Sequence, residues 1–68
     1  MKRTLRAQIE EVEYEIAMRR KVYPGLVARG RIRQAEADEH VLRLECALDT
    51  LRWVQKNEAV IKYAMSAK

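Results

Sequence analysis

Residues 19–33 read RRKVYPGLVARGRIR: six cations, no anion, and the chain's single proline beside one of its two glycines. Pro24 has no amide to donate to the carbonyl of Arg20, and its ring disfavours helical geometry at Tyr23. A helix arriving from the N-terminal side should therefore kink there, or stop and restart with Pro24 in a first turn. Leu26 and Val27 keep apolar side chains on the inner face for one more turn. Gly30 can then adopt the left-handed backbone that ends helices. The stretch predicts a kink or short break near Pro24 and a reversal of the chain over about residues 30–33.

Both sides of the reversal carry helical periodicity. Upstream, Leu5, Ile9, Val12 and Ile16 are spaced four, three and four apart, and the register continues through Arg19 to Tyr23 and Leu26. Thr4 is a candidate N-cap. Glutamates at 10, 11, 13 and 15 precede Arg19, Arg20 and Lys21, an order that a helix macrodipole favours. Downstream, Ala37, Val41, Leu44, Leu48 and Leu51 repeat the four-three spacing, with no Gly or Pro to the C-terminus. The expected fold is all-α: one domain over residues 1–68, a hairpin of two long antiparallel helices. Helix one covers about residues 4–29 with its kink or break at 24, and helix two about residues 33–64, overhanging the first.

Past Asp49 the stripe widens. Leu51, Trp53, Val54, Val60, Ile61, Tyr63 and Met65, with Ala59 and Ala64, occupy most of the helix circumference, more than one partner helix can cover. A chain of 68 residues buries little core by itself. The single Cys46 excludes an internal disulfide, and one Cys with one His cannot complete a four-ligand zinc site. Added burial should come from association, so the hairpin is expected to dimerise into a helical bundle with a two-fold axis. Trp53, the only tryptophan, is placed at a protein contact, in the dimer core or at a target.

No catalytic constellation or cofactor is expected. Glu36 and His40 lie one turn apart, near Asp38 and Glu39, but a two-helix hairpin offers no pocket to shield them. Their simplest reading is a surface i, i+4 pair. Cys46 falls close to the Leu44 and Leu48 face, where a thiol acts as a small hydrophobe, and no adjacent cation activates it. Gly25 and Gly30 stand alone among larger residues, which is not a phosphate-binding loop. Charges at Glu10, Glu11, Glu13 and Glu15 interrupt any apolar run, so neither a signal-peptide core nor a membrane span is expected. A cytoplasmic location suits the lone cysteine.

The net charge of +4 is local: residues outside 19–33 carry eight cations against ten anions. Arg19, Arg20, Lys21, Arg29, Arg31 and Arg33 thus form a basic bend. Three readings compete for it: solvated stems covering the core edge, attraction to an acidic protein, and attraction to nucleic acid. Against the last, the cations cluster at a reversal instead of along a recognition helix, and Tyr23 is the only aromatic among them.

Arg20, Lys21, Val22, Tyr23 and Pro24, followed by Val27, Gly30, Ile32, Ala37, Val41, Leu44 and the run Thr50, Leu51, Arg52, resemble a family of very short phage and prophage proteins. Their pattern is an acidic first helix, an R-x-V-Y-P-x-x-V-x-x-G bend and a second helix ending near T-L. The resemblance covers about residues 10–52. Arg33 stands where that pattern has a Ser or Thr cap, and the apolar run from Trp53 to Met65 extends past it. Size and helical-hairpin character are also similar to a phage quorum-sensing anti-activator. The resemblance implies a non-enzymatic, phage-encoded homodimer in the bacterial host cell that inhibits a host protein. The partners it suggests are a LuxR-type transcription regulator or a type IV pilus assembly ATPase. The alternative is a nucleic-acid-binding accessory protein that uses the basic bend.

Overall fold

A computed structural model of the chain describes the backbone of residues 3–66 and the side chains of residues 3–63. It is helical throughout, with α1 at Leu5–Ala28, α2 at Gln34–Lys56 and α3 at Glu58–Ser66. Thr4 caps α1: its hydroxyl oxygen accepts the amide of Ala7 at 3.1 Å, and its carbonyl accepts the amide of Gln8 at 3.0 Å. The first contact satisfies one of the four orphan amides of the helix start, and the second is the first bond of the helical ladder.

α1 does not break at Pro24. The helix runs through the proline to Ala28, although an interior proline typically costs about 3 kcal/mol in a helix. Packing supplies the compensation. Tyr23 is buried immediately before the proline, and Leu26 and Val27 are partly buried immediately after it. The tertiary seam thereby holds the last turn that the backbone alone would release. Continuity also moves Arg19, Arg20 and Lys21 to mid-helix. They lie well before the last turn, where the macrodipole acts only weakly on them, and the last turn itself contains no cation.

The reversal is closed by two backbone bonds that cross the helix end. The amide of Gly30 donates to the Val27 carbonyl at 3.0 Å, and that of Arg31 donates to Leu26 at 2.9 Å. Gly30 makes both possible with a φ of 70°, a region that costs an L side chain about 1 kcal/mol or more. At the start of α2, Arg33 occupies the cap position in extended geometry without any side-chain capping bond.

α1 and α2 pack antiparallel. Glu13 on α1 pairs with Arg52 on α2, whereas Arg20, further along α1, pairs with Glu45, earlier on α2. Ile16 and Leu48 lie between these pairs and Ile9 just beyond Glu13; together they form the core, with partly buried Leu5, Val12, Val41, Leu44 and Leu51 packed against it. Tyr23 and Ala37 extend the buried seam toward the turn. The predicted four-three stripes are the stripes that meet.

Helix two is not continuous to residue 64. Asn57 interrupts it with φ −107° and ψ 16°. Its amide is shared between the carbonyls of Trp53 at 3.0 Å and Val54 at 3.2 Å, and its side-chain amide donates to Trp53 at 2.8 Å. The Asn57 carbonyl then accepts the Ile61 amide at 2.9 Å and starts α3. An asparagine side chain that bonds to nearby backbone offers the chain an alternative to the helical ladder. Among the described residues, no Cα of α3 comes within 8 Å of one in α1. The molecule is 55 Å long, well beyond the roughly 36 Å that the 24 residues of α1 span at about 1.5 Å each.

Candidate interaction surfaces

The apolar residues singled out in the C-terminal half differ in burial. Leu51 packs against the Ile9, Ile16 and Leu48 core, so it serves the hairpin seam and is not free for a partner. Val54 and Ile61 are half-buried. Trp53 is 60% exposed, Val60 67% and Tyr63 76%. Met65 lies outside the residues whose side chains are described. Trp53, Val60 and Tyr63 thus present large apolar area to water, flanking the Asn57 break.

A second apolar stripe was not anticipated. Tyr14, Met18 and Val22 are exposed on α1 at four-residue spacing, which puts them on one helix face, turned away from Ile9, Ile16 and Tyr23. On α2, Leu42 is likewise exposed. The spacing of Tyr14, Met18 and Val22 was readable in the sequence, but the stronger Leu5 to Leu26 stripe masked it.

Between the C-terminal half of α1 and the N-terminal half of α2 lies an open groove of about 500 Å³, floored by Tyr23, Pro24, Ala37, Val41 and Leu42 and edged by Arg20, Asp38 and Glu45. His40 does not line it. Its ring sits 6.2 Å from that of Tyr23, inclined at 50°. The expected Glu36–His40 pair is absent: among the described residues neither side chain hydrogen-bonds, and the neighbouring acids bond elsewhere. Asp38 accepts from Gln34 at 2.8 Å, and Glu39 pairs with Arg43 at 3.1 Å. Cys46 is exposed and does not fill the seam. It sits two residues from both Leu44 and Leu48, about 200° around the helix from each, hence on the far side. Among the described residues there is no group of three His, Cys, Asp or Glu placed to hold a metal ion, and no helix is long and apolar enough to cross a membrane.

The six cations of the bend are not equivalent. Arg19 donates to Glu15 at 2.7 Å and to the Tyr23 hydroxyl at 2.9 Å, with its guanidinium 5.7 Å from the Tyr23 ring centroid. The hydrogen bond to Glu15, then that to Tyr23, raises the Arg19 pKa above its ordinary value. Arg20 is held across the hairpin by Glu45. Lys21, Arg29, Arg31 and Arg33 are exposed. None of the four is in an ion pair among the described residues.

Comparison with known proteins adds no relative: no protein-family model matches the chain, and neither a curated protein nor a solved structure does.

Proposed function

We propose that this chain is a non-enzymatic binding hairpin that pairs with a second copy through the segment from Trp53 to Tyr63 and uses the same apolar surface to occlude a target protein. The observation that carries this reading is the exposure of Trp53, Val60 and Tyr63 on a segment whose α3 part has no Cα neighbour in α1. Tryptophan and tyrosine bury large area at low entropic cost and dominate interface energies, so their display in water favours a contact outside the hairpin. On the resemblance carried by the R-x-V-Y-P-x-x-V-x-x-G bend, the target is a host protein of a phage. A LuxR-type regulator and a pilus assembly ATPase are the two named candidates.

Sedimentation equilibrium at micromolar concentration tests the pairing. The expected mass is twice the 8.0 kDa of one chain. Trp53→Ala should weaken the dimer about thirtyfold or more, the loss typical of an interface hot spot of about 2 kcal/mol. A well-folded species of single-chain mass over the whole range would refute it. Titration of the protein into a regulator–operator gel shift, and into an ATPase assay, would remove either target that is left undisturbed.

A further inference from the structure

The turn end of the hairpin carries charge that the fold does not use. Lys21, Arg29, Arg31 and Arg33 are exposed, without an anionic partner among the described residues, whereas Arg20 is pinned by Glu45 and Arg19 by Glu15. Lys21 and Arg29 lie one turn to either side of Gly25 and share its helix face. The Arg29 guanidinium lies back along α1, 4.0 Å from where a Cβ on Gly25 would sit. Gly25 itself adds no side chain between the two positions. Arg31 and Arg33 follow on backbone fixed by the Gly30 and Arg31 amide bonds that close the helix end. Apolar surface adjoins Lys21, where Val22 is 46% exposed, but beyond Gly25 it is slight: Ala28 is exposed but small, and Ile32 is half-buried.

A protein interface draws its affinity from a desolvated apolar centre; the apolar groove at this end is edged by Arg20, Asp38 and Glu45, and none of the four free cations lines it. A polyanion needs no apolar centre, because counterion release supplies the free energy. Arginine, three of the four cations, matches phosphate oxygens bidentately. A duplex, with about one charge per 1.7 Å of axis and its condensed counterions, is the densest common polyanion. We propose that the turn end binds the phosphate backbone of duplex nucleic acid through Lys21, Arg29, Arg31 and Arg33. Base reading is not part of this contact. The only amide side chain at the turn, Gln34, donates to Asp38 at 2.8 Å, and the arginines sit on a chain reversal instead of a recognition helix, so the proposed contact is with phosphate and not with base edges. The proposal goes beyond the protein-binding reading and does not rest on it: one hairpin suffices, and pairing of two copies adds a second contact.

Fluorescence anisotropy with a labelled duplex of random sequence, about 20 base pairs long, tests it between roughly 50 and 200 mM salt. Four phosphate contacts predict a slope of log K against log salt of about −3.6 per hairpin, which is a loss of about a hundredfold over that range. The triple variant Arg29→Gln/Arg31→Gln/Arg33→Gln should reduce the slope to about −1 with helix content unchanged by circular dichroism. Should that variant lose its helices, the double variant Lys21→Gln/Arg31→Gln serves instead, with an expected slope near about −2. Trp53→Ala should leave the slope per hairpin intact. No binding at the lowest salt, a slope unmoved by the substitutions, or equal competition by polyglutamate of the same length would each overturn the proposal.

Discussion

Between Leu5 and Leu51 the inner stripes pack into one core: Ile9, Ile16 and Leu48 are buried, with Leu5, Val12, Val41, Leu44 and Leu51 against them. From Trp53 to Tyr63 the residue types are similar, yet Trp53, Val60 and Tyr63 face water. Apolar content does not distinguish the two regions; arrangement does. The first concentrates its hydrophobes into one stripe per helix, which a single antiparallel neighbour can cover. The second spreads them around the helix, and Asn57 then ends the helix that could have kept them beside α1. Folding covers the inner stripes within one chain and leaves Trp53, Val60 and Tyr63 exposed; in the proposed function, association is what covers them.

The sharpest way to break this contrast is to damage the sealed seam. Ile16→Ala should cost about 3 kcal/mol, a large share of what a domain of this size has, and remove the cooperative helix melt in circular dichroism. A melt shifted by only a few degrees would show that the seam is not the source of stability. Gly30→Ala should cost about 1 kcal/mol by urea unfolding. The added Cβ meets nothing within 4 Å, so the loss measures the φ of 70° alone. Asn57→Ala should fuse α2 and α3, with higher far-UV helicity and a gain of a few tenths of a kcal/mol. Unchanged helicity would mean that something other than the asparagine sets the break. Tyr63→Ala, at the open end, should change the stability of the single hairpin by less than about 0.5 kcal/mol. A larger loss in dilute sample would mean that the exposed segment is sealed after all.

How much of this was legible from the residues depends on the range of the interaction that decides each feature. The stripes from Leu5 to Leu26 and from Ala37 to Leu51 are local periodicity, and they met as expected. The Thr4 cap and the Gly30 reversal are also local, since each depends on what one residue can do with its own backbone. At Pro24 a kink or a break was expected; the helix runs on to Ala28, which excludes the break, because the proline's penalty is local while its remedy, the burial of Tyr23 beside it, is tertiary. Asn57 was passed over because asparagine is only mildly unfavourable in a helix, and its effect here comes from one side-chain bond to Trp53. Cys46 was assigned to the wrong face: two residues from Leu44 and from Leu48, it lies about 200° around the helix from each. Dividing the six bend cations into engaged and unengaged required Glu15 and, from the far helix, Glu45.

The two ion pairs that cross the hairpin have a joint effect on alignment. Because both stripes repeat every seven residues, sliding one helix past the other by one heptad would still bury leucine against isoleucine. Glu13 and Arg20 are one heptad apart on α1, and Glu45 and Arg52 are one heptad apart on α2. A slip in one direction sets Arg20 against Arg52, and a slip in the other sets Glu13 against Glu45. Each exposed pair contributes under about 1 kcal/mol to the native alignment. The first misalignment exchanges both attractions for a repulsion; the second adds the Glu13–Glu45 repulsion but sets Arg20 against Asp38, so this pair of weak bridges discriminates chiefly against the first of two competitors that the greasy seam by itself would treat as equals.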